Sequence, residues 1–201
     1  MLVRKSFRRV VVVAALLATG AVAFAQEAKK KVGDPAASAA GAMGMPAPAP
    51  ETKKLSFLVG HFTSEEHFFA NPMMPQEMKS KGTLEGRYVL GDFFVVTEVK
   101  SELMGGFKGH SYLKYDAEKK QYVMWWFDSM GTAQEYSGGQ WKDEKTLVFE
   151  NDVTHSGMAM RVRAAYTVTS PTSWSLKEEA DFKDGKGFVP TMDIQFKKVV
   201  N

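Results

Sequence analysis

The sequence contains no cysteine. That excludes disulfide bridges, thiolate metal sites, a cysteine nucleophile and a lipid-modified cysteine near the N-terminus. It also lacks a long segment with a 3.6-residue apolar period, so no amphipathic helix is on offer to build a helical core. No Gly-x-Ser-x-Gly elbow, phosphate loop, dinucleotide fingerprint or His-Glu-x-x-His is present, and no catalytic constellation stands out. The apolar run Val10 to Ala23 is 14 residues long, short of the ~20 that a membrane-spanning helix needs. Aromatic residues are missing between Phe24 and Phe57.

The N-terminus reads as an export address. Arg4, Lys5, Arg8 and Arg9 precede the apolar run, and Ala23-Phe24-Ala25 fits a small-x-small cleavage pattern. Residues 1–25 are therefore expected to be a cleavable signal peptide, which places the mature chain in the periplasm or outside the cell. Arg8-Arg9 also loosely fits a twin-arginine signal, and the residues leave the export route open. Residues 1–25 hold four of the 26 Lys and Arg and none of the 23 Asp and Glu, which leaves 22 against 23 and a net charge of −1. Such a balance gives no reason to expect nucleic acid as a partner, nor membrane insertion after cleavage. The oligomeric state is not readable.

Residues 26–53 hold four of the eight prolines, many alanines and Lys29-Lys30-Lys31. A stretch so poor in large apolar side chains cannot offset its ordering entropy and reads as a disordered linker, dispensable for folding. From residue 54 to 201 the pattern changes to one domain of short alternating runs punctuated by Gly, Asn, Asp and Pro. About ten strands are expected, near 57–69, 79–90, 92–101, 106–115, 121–128, 132–138, 145–151, 158–169, 173–182 and 190–199. Met158, Met160, Val162, Ala164, Tyr166 and Val168 share one face, with Arg161, Arg163, Thr167 and Thr169 on the other. Met192, Ile194 and Phe196 alternate with Asp193, Gln195 and Lys197, and Leu84, Tyr88 and Leu90 with Glu85 and Arg87. One wet and one dry face per strand is the mark of antiparallel pairing. A meander of this many strands disposes of its free edges by closing into a barrel.

Several side chains invite chemistry. His61, Glu65 and His67 share a strand face, but His61 and His67 would stand about 20 Å apart at ~3.3 Å per residue, too far for one ion. Met73, Met74 and Met78 are soft donors between and after Pro72 and Pro75. They also suit an apolar flap over a barrel mouth. Asp128, at the end of a strand, could be catalytic or could cap the following turn. Glu178 lies on the apolar face Trp174, Leu176, Glu178, Ala180, Phe182. It is either a polar anchor inside a cavity or a rim residue left in water by a bulge.

The blocks Ser56-Phe57-Leu58-Val59-Gly60-His61-Phe62, Lys81-Gly82-Thr83, Val89 to Val95, Tyr115 to Val123, Trp126-Phe127-Asp128-Ser129-Met130-Gly131-Thr132, Tyr136-Ser137-Gly138-Gly139 and Lys145 to Phe149 together resemble the bacterial domain-of-unknown-function family 1579. The resemblance implies an up-and-down, lipocalin-like and nitrobindin-like barrel, and it supplies no established activity. The expectation drawn from residues and resemblance is an exported binding module for a small apolar or amphipathic molecule. Trp126, Met160, Tyr166, Trp174, Phe196 and the polar Glu178 would line its site, with no metal and no cofactor required. Three alternatives stay open: a haem protein by analogy with nitrobindin-like barrels, an uncatalogued enzyme using Asp128 or Glu178, and a purely structural envelope protein.

Overall fold

The computed structural model describes residues 46–155 and 157–200. The expected signal peptide, and the expected linker as far as residue 45, lie outside the described residues. Ten antiparallel strands follow one another around a closed barrel: β1 Gly60–Phe68, β2 Met78–Val89, β3 Phe94–Ser101, β4 Phe107–Asp116, β5 Gln121–Asp128, β6 Ala133–Trp141, β7 Thr146–His155, β8 Met158–Ser170, β9 Ser173–Asp181 and β10 Phe188–Lys198. Each strand pairs with its neighbours in sequence, and β1 closes the ring against β10. The expected all-β, up-and-down barrel of about ten strands is the fold observed.

The alternation sets the inside. Met160, Val162, Ala164 and Tyr166 are buried on β8, while Arg161 and Arg163 on the opposite face reach Glu150 at 2.9 and 2.8 Å. Ile194 and Phe196 are likewise buried on β10. Leu90 departs from the expected dry face. It sits in the β2–β3 turn with φ 53°, followed by Gly91 and Asp92, also in the left-handed region, and is 72% exposed. The turn geometry ends the strand one residue before Leu90 and overrides its hydrophobicity.

A nine-residue 3-10 segment, Pro50–Leu58, precedes β1. Proline at its first position costs no hydrogen bond there. Its buried face, Thr52, Leu55 and Leu58, plugs one end of the barrel. The ordered unit therefore begins earlier than composition suggests. Residues 50–53, read above as linker, belong to the plug, and the first strand starts at Gly60 rather than at 57. The backbone carbonyl of Glu51 accepts the Tyr122 hydroxyl at 2.9 Å. Gly86 on β2 lies so close to the Leu58 carbonyl that a Cβ there would overlap it, which fixes where the plug meets the wall.

Candidate functional site

The inner surface divides in two. At the plugged end Leu55, Leu58, Phe62, Leu84, Val95, Leu113, Leu147 and Phe149 form a closed apolar core. Aromatic rings interlock within it. Trp174 stacks on Phe196 at 3.8 Å and on Tyr166 at 6.1 Å, and Phe57 meets Trp174 edge-on at 5.6 Å. At the opposite end, the mouth, the inward positions become polar and mixed. Trp126, Asp128, Tyr136, Asn151, Glu178 and Met192 face inward yet keep part of their surface accessible. A second, smaller apolar cluster of Val153, Met160, Val162 and Ala180 lies among them.

The six site residues expected from sequence therefore fall into two groups. Tyr166, Trp174 and Phe196 pack against one another in the closed core. Trp126, Met160 and Glu178 lie in the mouth half. Trp126 stacks on Phe107 at 6.3 Å, and Gly109 across the ladder leaves the room its ring occupies, since a Cβ there would run into the indole.

Glu178 points inward from β9. Its partner strand bulges between Pro190 and Met192, and the bulge residue Thr191 donates its hydroxyl to Oε1 of Glu178 at 2.8 Å. The bulge does not expel the carboxyl to the rim; it supplies its hydrogen bond. Burial raises the Glu178 carboxyl above its ordinary range, and the Thr191 bond offsets only part of this. The phenols of Tyr136 and Tyr166 are also raised, chiefly by burial and further by Glu178 nearby.

Asp128 behaves in the opposite sense. Burial would raise its pKa, but the Trp126 indole N–H and the amides of Thr132 and Met130 outweigh this and hold the carboxyl below its usual range. It caps the β5–β6 turn and orients the Trp126 ring.

A third inward carboxylate was not singled out by the sequence. Glu66 on β1 is 4% exposed. Its Oε1 accepts the Ser64 hydroxyl at 2.8 Å and its Oε2 that of Ser101. Ser101 in turn contacts Ser80 at 3.2 Å and accepts the Leu103 amide. Strand parity could have found it, because Phe62, Ser64, Glu66 and Phe68 alternate with His61, Thr63, Glu65 and His67.

The wall itself is uneven. β7 and β8 register over ten residue pairs, but β6 and β7 over only Gln140–Val148 and Trp141–Leu147. Beyond that point toward the mouth, Asn151 bridges the seam by donating to the Ser137 carbonyl at 3.1 Å. Its buried Oδ1 has no hydrogen-bond partner among the described residues, and neither have the indole N–H groups of Trp141 and Trp174 at the plugged end. Two surface depressions, of about 380 and 480 Å³, lie outside the lumen. One lies beside the plug at Phe57 and Trp141, the other on the outer wall at Thr63, Thr172 and Gln195.

His61 and His67 stand on the outward face of β1, with His67 paired to Glu77 at 2.7 Å. In the β1–β2 loop, Asn71 ties down the amides of Met73 and Met74, and Met73 is 43% exposed. An enclosed haem would need an axial histidine within the barrel. His110 is also outward, and His155 takes the inward parity of β7 at the rim of the mouth. Among the described residues no histidine lies deeper within the lumen.

The architecture defines a class: a closed lipocalin-like β-barrel, plugged at one end, with a polar and aromatic inner surface at the other. Within it, residues 47–198 match the family described as "Protein of unknown function (DUF1579)", and the chain belongs to that family. No curated protein matches the chain. Among solved structures it is similar to Rv2717c from M. tuberculosis, with 11% identity, a TM-score of 0.58, and coverage of 76% of this chain and 99% of that one. It is also similar to the S-type phycobiliprotein lyase CPES from Guillardia theta, with 12% identity, a TM-score of 0.50, and coverage of 77% and 99%. At such identities the likeness concerns the fold.

Proposed function

We propose that this protein is an exported binding module that holds a small amphipathic molecule in the mouth half of its barrel. The observation that carries the reading is the division of the inner face. One half is packed shut by interlocked aromatics. The other combines apolar side chains with a few polar groups that retain access to solvent. Small-molecule sites are concave and mostly apolar with few convergent polar contacts, and barrel mouths are favoured places for them. Trp126, Met160 and Met192 would supply the apolar wall and Glu178 with Tyr136 the polar end. Tyr166, Trp174 and Phe196 would form the floor rather than touch the ligand. The phycobiliprotein lyase that shares the fold is named for work on a protein bearing a small chromophore, which agrees with a barrel used around small molecules.

Native mass spectrometry of protein purified from its original host tests this reading. A co-purified small molecule, lost on denaturation, is the expected result; protein of bare chain mass in every preparation would overturn it. The same spectrum tests export, since the mature chain should begin at Gln26.

A further inference from the structure

Three features of the mouth half bear on what kind of molecule it takes. The first is a charge census of the inner face. Glu66, Asp128 and Glu178 all face inward there. Among the described strand residues the inward-facing lysine or arginine is Lys198, which lies at the plugged end with its Nζ on the Val59 carbonyl at 3.0 Å, and His155 takes the inward parity at the rim of the mouth. The other strand lysines and arginines alternate outward, as Arg161, Arg163, Lys177 and Lys197 do. The second is that Glu178 has a hydroxyl partner but no cation: no ion pair is formed by it or by Glu66 and Asp128 among the described residues. The third is independent of any acid. The Asn151 Oδ1 is buried without a donor, at the point where the β6–β7 ladder lapses. A buried acceptor left alone is unfavourable, and this one, unlike the two orphaned indole N–H groups of Trp141 and Trp174 at the plugged end, lies in the mouth half within reach of a donor from outside the chain.

These features deepen the proposed function and rest on it. The inner face of the mouth half offers acceptors and negative charge, and among the described residues it holds neither lysine nor arginine. An anionic amphiphile such as a fatty acid would enter against three carboxylates with nothing to pair with. A neutral one would leave Glu178 without a counter-charge, to relieve its burial by holding a proton. A cationic head resolves both, and the Trp126 and Tyr136 rings beside the carboxyls add a surface that attracts cations. We infer that the ligand is an amphipathic amine, with its protonated nitrogen at Glu178 and its apolar part against Trp126, Met160 and Met192. Asn151 at the seam accepts a second donor from the ligand or from a water it carries.

The test uses three probes of one chain length, decylamine, decanol and decanoate, titrated into the purified protein with binding followed by tryptophan fluorescence and thermal shift. Decylamine should bind at least about tenfold tighter than decanol, the usual scale for one charge-assisted contact, and decanoate should be weakest. Glu178→Gln, which keeps shape and removes charge, should abolish the amine's advantage and leave decanol within about twofold. Decanol or decanoate matching decylamine would overturn the amine assignment while leaving the binding reading intact. A preference for decylamine that survives Glu178→Gln would overturn the placement of the cation. Failure of all three probes to bind would count against the binding reading, and the inference would fall with it.

Discussion

The two ends of this barrel are built from the same strands and solve different problems. At the plugged end the inward positions are Phe, Leu, Val, Tyr and Trp, and the Pro50–Leu58 segment covers them. Each large apolar side chain buried there contributes roughly 1.5–3 kcal/mol. At the mouth end the same inward parity carries Glu66, Asp128, Asn151 and Glu178. Burying polar groups costs free energy unless partners are found. Ser64, Ser101, Trp126, Thr132 and Thr191 meet part of that cost. Among the described residues unmet groups remain at both ends, the Trp141 and Trp174 indole N–H groups in the core and the Asn151 Oδ1 at the mouth, but only at the mouth do inward carboxylates without a counter-charge accompany them. The packed end supports the polar one, and the contrast between them separates scaffold from proposed site.

The contrast is most exposed to refutation by the tryptophans. Trp174→Ala should destabilise by about 3–5 kcal/mol, the usual cost of emptying a packed aromatic site. Trp126→Ala should cost only about 1–2 kcal/mol, since the ring is half open and removing it frees Asp128 to hydrate. Urea unfolding measures both, and equal losses would erase the distinction between the halves. Next in size, Met160→Asp should cost about 3 kcal/mol by placing an unpaired charge inside. Arg161→Asp, one residue along and outward, should stay near 1 kcal/mol. Comparable effects would mean that the strand faces are assigned wrongly.

A smaller effect concerns the plug. A chain starting at Lys53 loses buried Thr52 and the carbonyl that receives the Tyr122 hydroxyl. It should be less stable than one starting at Met45 by about 1–3 kcal/mol. An unchanged melting temperature would restore residues 50–53 to the linker.

The smallest and most diagnostic comparison is the pH dependence of Glu178→Gln. In the folded protein burial raises the Glu178 pKa above its ordinary value of 4.5. Between the unfolded and folded values the native state binds the extra proton, so stability falls as pH rises through that window. The stabilising share is fully present below the unfolded value. Relative to wild type, Glu178→Gln should gain nothing near pH 4 and progressively more toward neutrality, by ~1.4 kcal/mol for each pH unit crossed between the unfolded and folded values. A pH-independent difference between the two proteins would show that the carboxyl is hydrated.

Sequence reasoning went further on the fold than on the site. Strand alternation is a local property, read directly from residues such as Met160 and Arg161, and it named the inner face of β8 and β10 correctly. The turn around Asp128 was legible for the same reason, because its hydrogen bonds run to amides two and four residues on. Parity along 62–68 also contained Glu66, but its meaning depends on Ser101, which is 35 residues away in sequence.

Taken alone, then, the sequence determined most of the strands, the dry side of most of them and that about ten strands should close on themselves, while it misplaced the start of β1, the end of β7 and the exposed Leu90. Period-2 patterning and turn chemistry act over a few residues, so one chain suffices to reveal them. Tertiary structure alone decided that residues 50–58 close one end, that Tyr166, Trp174 and Phe196 pack into a filled floor, and that the bulge at Thr191 holds Glu178 inside. It also decided that the β6–β7 seam leaves Asn151 without a donor. Each of these depends on which distant segments meet and how far along the barrel axis they meet, and the shear of a closed sheet sets that height without writing it into any local pattern.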